Sequence, residues 1–183
     1  MSASANSALL SLNKYSQQQT QWCWAAITQT VANYFGHYKP QCRMASRFIK
    51  TQPGEYCCTA AKAGSSECNQ PYYLDRSIGH YNMLNQFTGG TLPTTSVVGQ
   101  IGAKRPVGMR IGWNGGGGHF ILAYGARHDV TFHGFPPKPK VIETFHVWDP
   151  ANGGDAAVVA RAGVTNYKSA GSWTHSYTTV DPD

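Results

Sequence analysis

The hydrophobic period of this chain changes once, near residue 100, and that change limits the fold more than any other feature. Before it, apolar residues recur at helical spacing. Ile27, Val31, Tyr34 and Phe35 fall at i, i+4, i+7 and i+8, and Gly36 follows as a stop. Pro40 opens a second helix with Cys42, Ala45, Phe48 and Ile49 on one face. Leu74, Ile78, Tyr81, Leu84 and Phe87 form a third stripe, ended by Gly89-Gly90, and Ser96 caps a short helix through Val97 and Ile101. After it, Val107 to Trp113, Phe120 to Tyr124, Val141 to Trp148 and Ser176 to Val180 read as strands, separated by a run of glycines at 115–118 and by Phe135-Pro136-Pro137. Helices followed by strands predict an α+β protein. Its 183 residues suit one domain, with a helical part at about 17–95 and a β part at about 96–183.

Composition excludes several classes. With 41% hydrophobic residues the chain is not disordered, and with 13% charged residues its surface is sparing in charge. The formal charge of +6 is scattered, with Lys138-Pro139-Lys140 its tightest cluster, so a solvated basic surface is expected and no nucleic-acid partner. No run of 18 apolar residues exists, so no membrane span is expected, and the protein reads as a monomer. Met1 to Ser16 lacks a basic leader and is not a signal peptide as it stands.

Five cysteines divide into a cluster of four, Cys42, Cys57, Cys58 and Cys68, and a solitary Cys23. Four and one predict two disulfides, one free thiol and a secreted protein; the plainer alternative is five reduced thiols in a cytosol. Ring strain disfavours pairing of the vicinal Cys57 and Cys58. Two connectivities remain, of which Cys42–Cys57 with Cys58–Cys68 is the expectation. No cysteine or histidine pair stands at zinc spacing outside this cluster, and none is expected to hold metal.

Three segments carry chemistry. In Gln17-Gln18-Gln19-Thr20-Gln21-Trp22-Cys23-Trp24-Ala25-Ala26, Cys23 opens a helix, where free N–H groups and the dipole stabilise a thiolate. Gln17, six residues upstream, can donate its amide to a developing oxyanion. The bland reading is a buried cysteine between two core tryptophans. In Gly115-Gly116-Gly117-Gly118-His119-Phe120, the histidine starts an apolar strand behind a glycine loop. A lone histidine is more often structural, and six others occur in the chain. In Val147-Trp148-Asp149-Pro150, an acid ends a strand, where it can orient an imidazole; the commoner explanation is an Asp-Pro turn.

Their order outweighs each alone. Gln and Cys at the first helix, His at a strand start and an acid at the next strand end resemble the papain-like cysteine peptidases over residues 17 to 150. Gln17…Trp22-Cys23-Trp24-Ala25-Ala26, Arg105-Pro106-Val107, Gly118-His119-Phe120, Trp148-Asp149-Pro150 and the insert Cys42…Cys57-Cys58…Cys68-Asn69 resemble the compact bacterial branch. That branch holds the AvrRpt-type effector proteases and, more distantly, the staphopains. Trp22 stands where the plant enzymes have a second cysteine, His119 follows Cys23 by only 96 residues, and Asp149 replaces the Asn of papain.

The resemblance implies a helical left lobe, a right lobe of antiparallel strands and a cleft with Cys23 and His119 on opposite walls. It implies a Cys23, His119 and Asp149 triad with Gln17 in the oxyanion site, acting on a protein or peptide without metal or cofactor. Trp24, Trp113, Gly117 and Gly118 are the expected substrate-binding residues. The same fold and residues would also serve a leader peptidase, an isopeptidase or a transamidase, and a binding module without activity is the reading from another class.

Overall fold

A computed structural model describes residues 6–52 and 54–183. Helix α1 (Cys23–Tyr34) is the centre of the helical part, and its first ten residues, Cys23 to Ala32, are all buried. A helix covered on every side cannot leave its polar side chains unpaired. Thr28 and Thr30 donate their hydroxyls to the carbonyls of Trp24 and Ala26, and Thr28 also meets Ser77. Helices α2 (Gln41–Phe48) and α4 (Leu74–His80) pack against α1, and the short α3 (Ala60–Ala63) sits in the cysteine-rich insert.

The strands are β1 (Asn6–Leu9), β2 (Leu84–Thr88), β3 (Val107–Trp113), β4 (Gly118–His133), β5 (Lys138–Asp149), β6 (Asp155–Ala160) and β7 (Gly171–Thr179). They form one antiparallel sheet in the order β2-β7-β3-β4-β5-β6, with β1 also paired to β4. Helix α5 (Thr94–Gly102) lies on β1 and β4, and α6 (Arg161–Thr165) joins β6 to β7. The fold is α+β, and one hydrophobic cluster runs from Trp22, Ile27 and Val31 of the helical part to Ile111, Ile121 and Phe145 of the sheet.

Several expectations are corrected. The third helical stripe stops at His80: Asn82 takes a left-handed conformation (φ 57°), and Leu84–Thr88 leaves the helix to pair with β7. Phe87, assigned to that helical stripe, lies in β2 and is 47% exposed. Helix α5 starts after Pro93, which places Ser96 inside the first turn instead of at the cap. Strand β1 precedes the helical part and β6 follows Asp149; neither has a strong alternating pattern.

The disulfide pairing is also corrected: the bonds are Cys42–Cys58 and Cys57–Cys68. The vicinal cysteines lie in a 3₁₀ turn, Tyr56–Cys58, which sends successive side chains in different directions. The backbone N–H of Cys57 bonds to Ser46 Oγ, and its side chain points into the core, where the equally buried Cys68 waits. Cys58 faces α2, with its Cα 4.8 Å from that of Cys42.

Candidate active site

Cys23 is the first residue of α1 and the free cysteine of the chain, 9% exposed. Both neighbouring tryptophans are wholly buried, and each uses its indole N–H as a tether. Trp22 donates to the carbonyl of Cys68 (2.9 Å) and Trp24 to that of Gln70 (3.1 Å). Asn69, between these, accepts from the Gln21 backbone and donates to Thr20 Oγ1. The insert, stapled by Cys57–Cys68, therefore braces the start of α1 from behind. Trp24 has no surface to offer a substrate, which corrects its assignment as a binding residue.

His119 enters from the sheet. Leu122 pairs with Trp148 across β4 and β5. One residue further in that register, Asp149 stands opposite Ile121 and diagonal to His119 on the same face, within reach of a long side chain. His119 Nε2 lies 2.6 Å from Asp149 Oδ1, and Cys23, like Asp149, is near enough to raise the His119 pKa. Trp113 stacks on the imidazole (centroids 6.0 Å apart) and meets the Tyr167 ring at a tilt (6.2 Å). Cys23, His119 and Asp149, far apart in sequence, thus come together in one row, with His119 hydrogen-bonded to Asp149. Asn152 is exposed in the turn after Pro150, and Asp129 is paired with Arg127.

The row is electrostatically coupled. Burial alone would lower the His119 pKa, but its hydrogen bonds and charge interactions with Asp149 and Cys23 outweigh that and push it up to about 9. Burial likewise works against the Asp149 carboxylate, yet its donors hold it well below the usual carboxyl range. These donors extend beyond His119. The Ala151 backbone N–H reaches Oδ1 (3.0 Å), while Tyr167 Oη (2.7 Å) and Lys168 Nζ (2.8 Å) both reach Oδ2. Burial and the adjacent carboxylate push the Tyr167 phenol far above its ordinary range.

Gln17 lies beside this row. Its backbone N–H bonds to the Pro150 carbonyl, and its Nε2 donates one hydrogen to the Thr20 carbonyl (3.0 Å), leaving a second N–H. The buried Gln41 fixes the loop on both sides of Gln17, accepting from Gln18 N and donating to Ser16 O and to Gln29. Gln19 turns away: its Oε1 lies against Gly64 in the insert.

A family model described as papain-like cysteine protease AvrRpt2 matches residues 6–170. The chain belongs to that family. A search of curated proteins found no match. The protease is a papain-like thiol hydrolase, and its fold of helices against an antiparallel sheet is the one such a family requires.

Within this papain-like protease the glycine loop is more constrained than its composition implies. Gly116 and Gly117 have positive φ (97° and 80°). Arg110 donates to the Gly117 carbonyl, and a Cβ at Gly118 would meet its guanidinium at 2.6 Å. Gly117 and Gly118 line a cavity of about 280 Å³ with Pro71, Tyr72, Tyr73, Arg110 and Phe120, and two of its walls, Gly118 and Phe120, flank His119 in β4. Tyr167, Lys168 and Gln41 escaped the sequence reading, because a polar residue in a turn or on a helix carries no local sign of the partner it will meet.

Proposed function

We propose that this protease hydrolyses peptide bonds of protein substrates through a thioester, with Cys23 as nucleophile, His119 as general base and acid, and Asp149 as the orienting group. The observation that carries this reading is the commitment of His119 Nε2 to Asp149 at 2.6 Å. That bond fixes the ring and leaves Nδ1 as the nitrogen that exchanges a proton with Cys23. Cys23 Sγ attacks the substrate carbonyl, and the oxyanion takes hydrogen bonds from the Cys23 backbone N–H and the free N–H of Gln17. His119 protonates the departing amine. Water, deprotonated by His119, then cleaves the thioester and returns the thiol.

The protein is proposed to act as a secreted bacterial protease or effector and as a monomer. Two disulfides support an oxidising destination, and among the described residues no helix is long and apolar enough to cross a membrane. The deciding experiment exposes a proteome-derived peptide library to the wild type and to Cys23→Ala in parallel, with products identified by mass spectrometry. New termini that appear only with the wild type support hydrolysis at Cys23. Identical product sets would overturn it.

A further inference from the structure

A second cavity adjoins the one beside His119. It measures about 470 Å³ and is lined by Arg47, Phe48, Thr51, Tyr72, Arg76 and His80. Tyr72 is a wall of both cavities, and its ring packs on Trp24 (centroids 5.3 Å), the residue after Cys23, and on Phe48 (5.2 Å). The second cavity is therefore built onto the same helix start as the nucleophile, one aromatic ring away from the cleft.

Its charge is one-sided. Among the described residues some basic side chains meet acids, Arg43 with Glu55, Lys62 with Glu67, Arg127 with Asp129, Arg161 with Glu143 and Lys168 with Asp149, whereas others, Arg110 of the neighbouring cavity among them, stand without an acidic partner. Among the described residues no carboxylate lies within salt-bridge distance of Arg47 or Arg76, and no acidic residue lines this cavity. Arg76 is steadied over the Tyr73 ring, 4.6 Å from its centroid. His80 titrates below its ordinary value, through burial first and then through the charges of Arg47 and Lys39. The neighbouring acid, Asp75, lines a different cavity that Arg76 also borders, together with Arg110 and His175, and it makes no salt bridge with Arg76.

Resting on the proteolytic reading of the cleft, we infer that Arg47 and Arg76 form a subsite for an acidic side chain of the substrate, set beside the apolar cavity that Tyr72 separates from it. Two guanidinium side chains lining one concavity offer donors for the two oxygens of a carboxylate. Tyr72 and Phe48 give the substrate backbone an apolar wall between the two subsites. The selected substrate class is a protein segment in which an acidic residue stands close to the apolar residue held by Tyr72, Tyr73 and Phe120.

The test uses pairs of peptides, taken from sequences the library experiment shows to be cleaved or from a random acidic pool, identical except for Glu→Gln at one position. Binding to Cys23→Ala is titrated at low and high salt, and hydrolysis by the wild type is timed separately. At one position the Glu peptide should bind Cys23→Ala about tenfold more tightly at low salt, a modest advantage because the arginines are exposed. That ratio should shrink at high salt and collapse toward one in Arg47→Gln/Arg76→Gln. Equal binding of Glu and Gln peptides at every position, or a ratio untouched in the double variant, overturns the subsite. A Glu preference in binding without any hydrolysis by the wild type would overturn the proteolytic reading and leave the subsite standing.

Discussion

Lys168 Nζ lies 2.8 Å from Oδ2 of Asp149, on the carboxylate oxygen opposite the one that meets His119. The buried carboxylate is thereby shared between a cation at the surface and an imidazole in the cleft, with Tyr167 as a third claimant. Lys168 draws part of the negative field away from His119. Replacing it with methionine should move the alkaline limb of kcat/KM upward by less than about one pH unit, since the ammonium is half exposed and screened. Tyr167→Phe removes a donor from a buried carboxylate and should cost about 1–3 kcal/mol in urea unfolding. A Lys168→Met profile identical to the wild type would remove this residue from the positioning of Asp149.

The His119 pKa, raised from 6.5 to about 9, fixes two signs. Activity that needs protonated His119 for the leaving amine should fall on the alkaline side near pH 9. Stability contributed by the charged imidazole is complete below 6.5 and lost as the pH rises through about 9. Asp149 behaves oppositely: its carboxyl is lowered from 3.8, so its contribution is present above that value and lost as the pH falls below it. Urea midpoints between pH 3 and 10 check both, with Asp149→Ala expected to flatten the two slopes. Asp149→Asn should retain more turnover than Asp149→Ala, because an amide oxygen still accepts the imidazole N–H.

Gln17 and Gln19 form a matched pair of variants. Gln17→Ala should lower kcat by about 10² to 10³, the usual loss for one oxyanion donor. Gln19, turned toward Gly64, should give a near-normal enzyme when replaced by alanine. The reverse ranking in steady-state kinetics would reassign the oxyanion role.

Non-reducing peptide mapping should find Cys42–Cys58 and Cys57–Cys68. Each bond is worth about 2–4 kcal/mol, and the chain-entropy difference between the two loops is small. The sites differ more in what they hold: Cys57 and Cys68 are fully buried, and the Cys68 carbonyl receives the Trp22 indole. Cys57→Ala/Cys68→Ala should therefore lower both Tm and turnover more than Cys42→Ala/Cys58→Ala, as thermal melts and peptide hydrolysis will show.

Much of this protein was legible in local sequence because the relevant physics is local. A cysteine ahead of small residues opens a helix, an apolar run after glycines makes a strand, and a change from period 3.6 to period 2 separates helices from sheet. Those signals locate Cys23, His119 and Asp149, each at the end of its own element. What they leave open depends on contacts between distant segments. Leu84 to Thr88 continues a helical stripe in sequence, yet β7 offers it a sheet edge, and pairing there outweighs a weak helical preference. The cysteine partners follow from where a three-residue turn aims two adjacent side chains, which spacing cannot reveal. Tyr167 and Lys168 meet Asp149 only because β6, α6 and the turn before β7 carry the chain back across the end of β5, so the donors that hold the buried carboxylate exist in the folded sheet and nowhere in the sequence pattern.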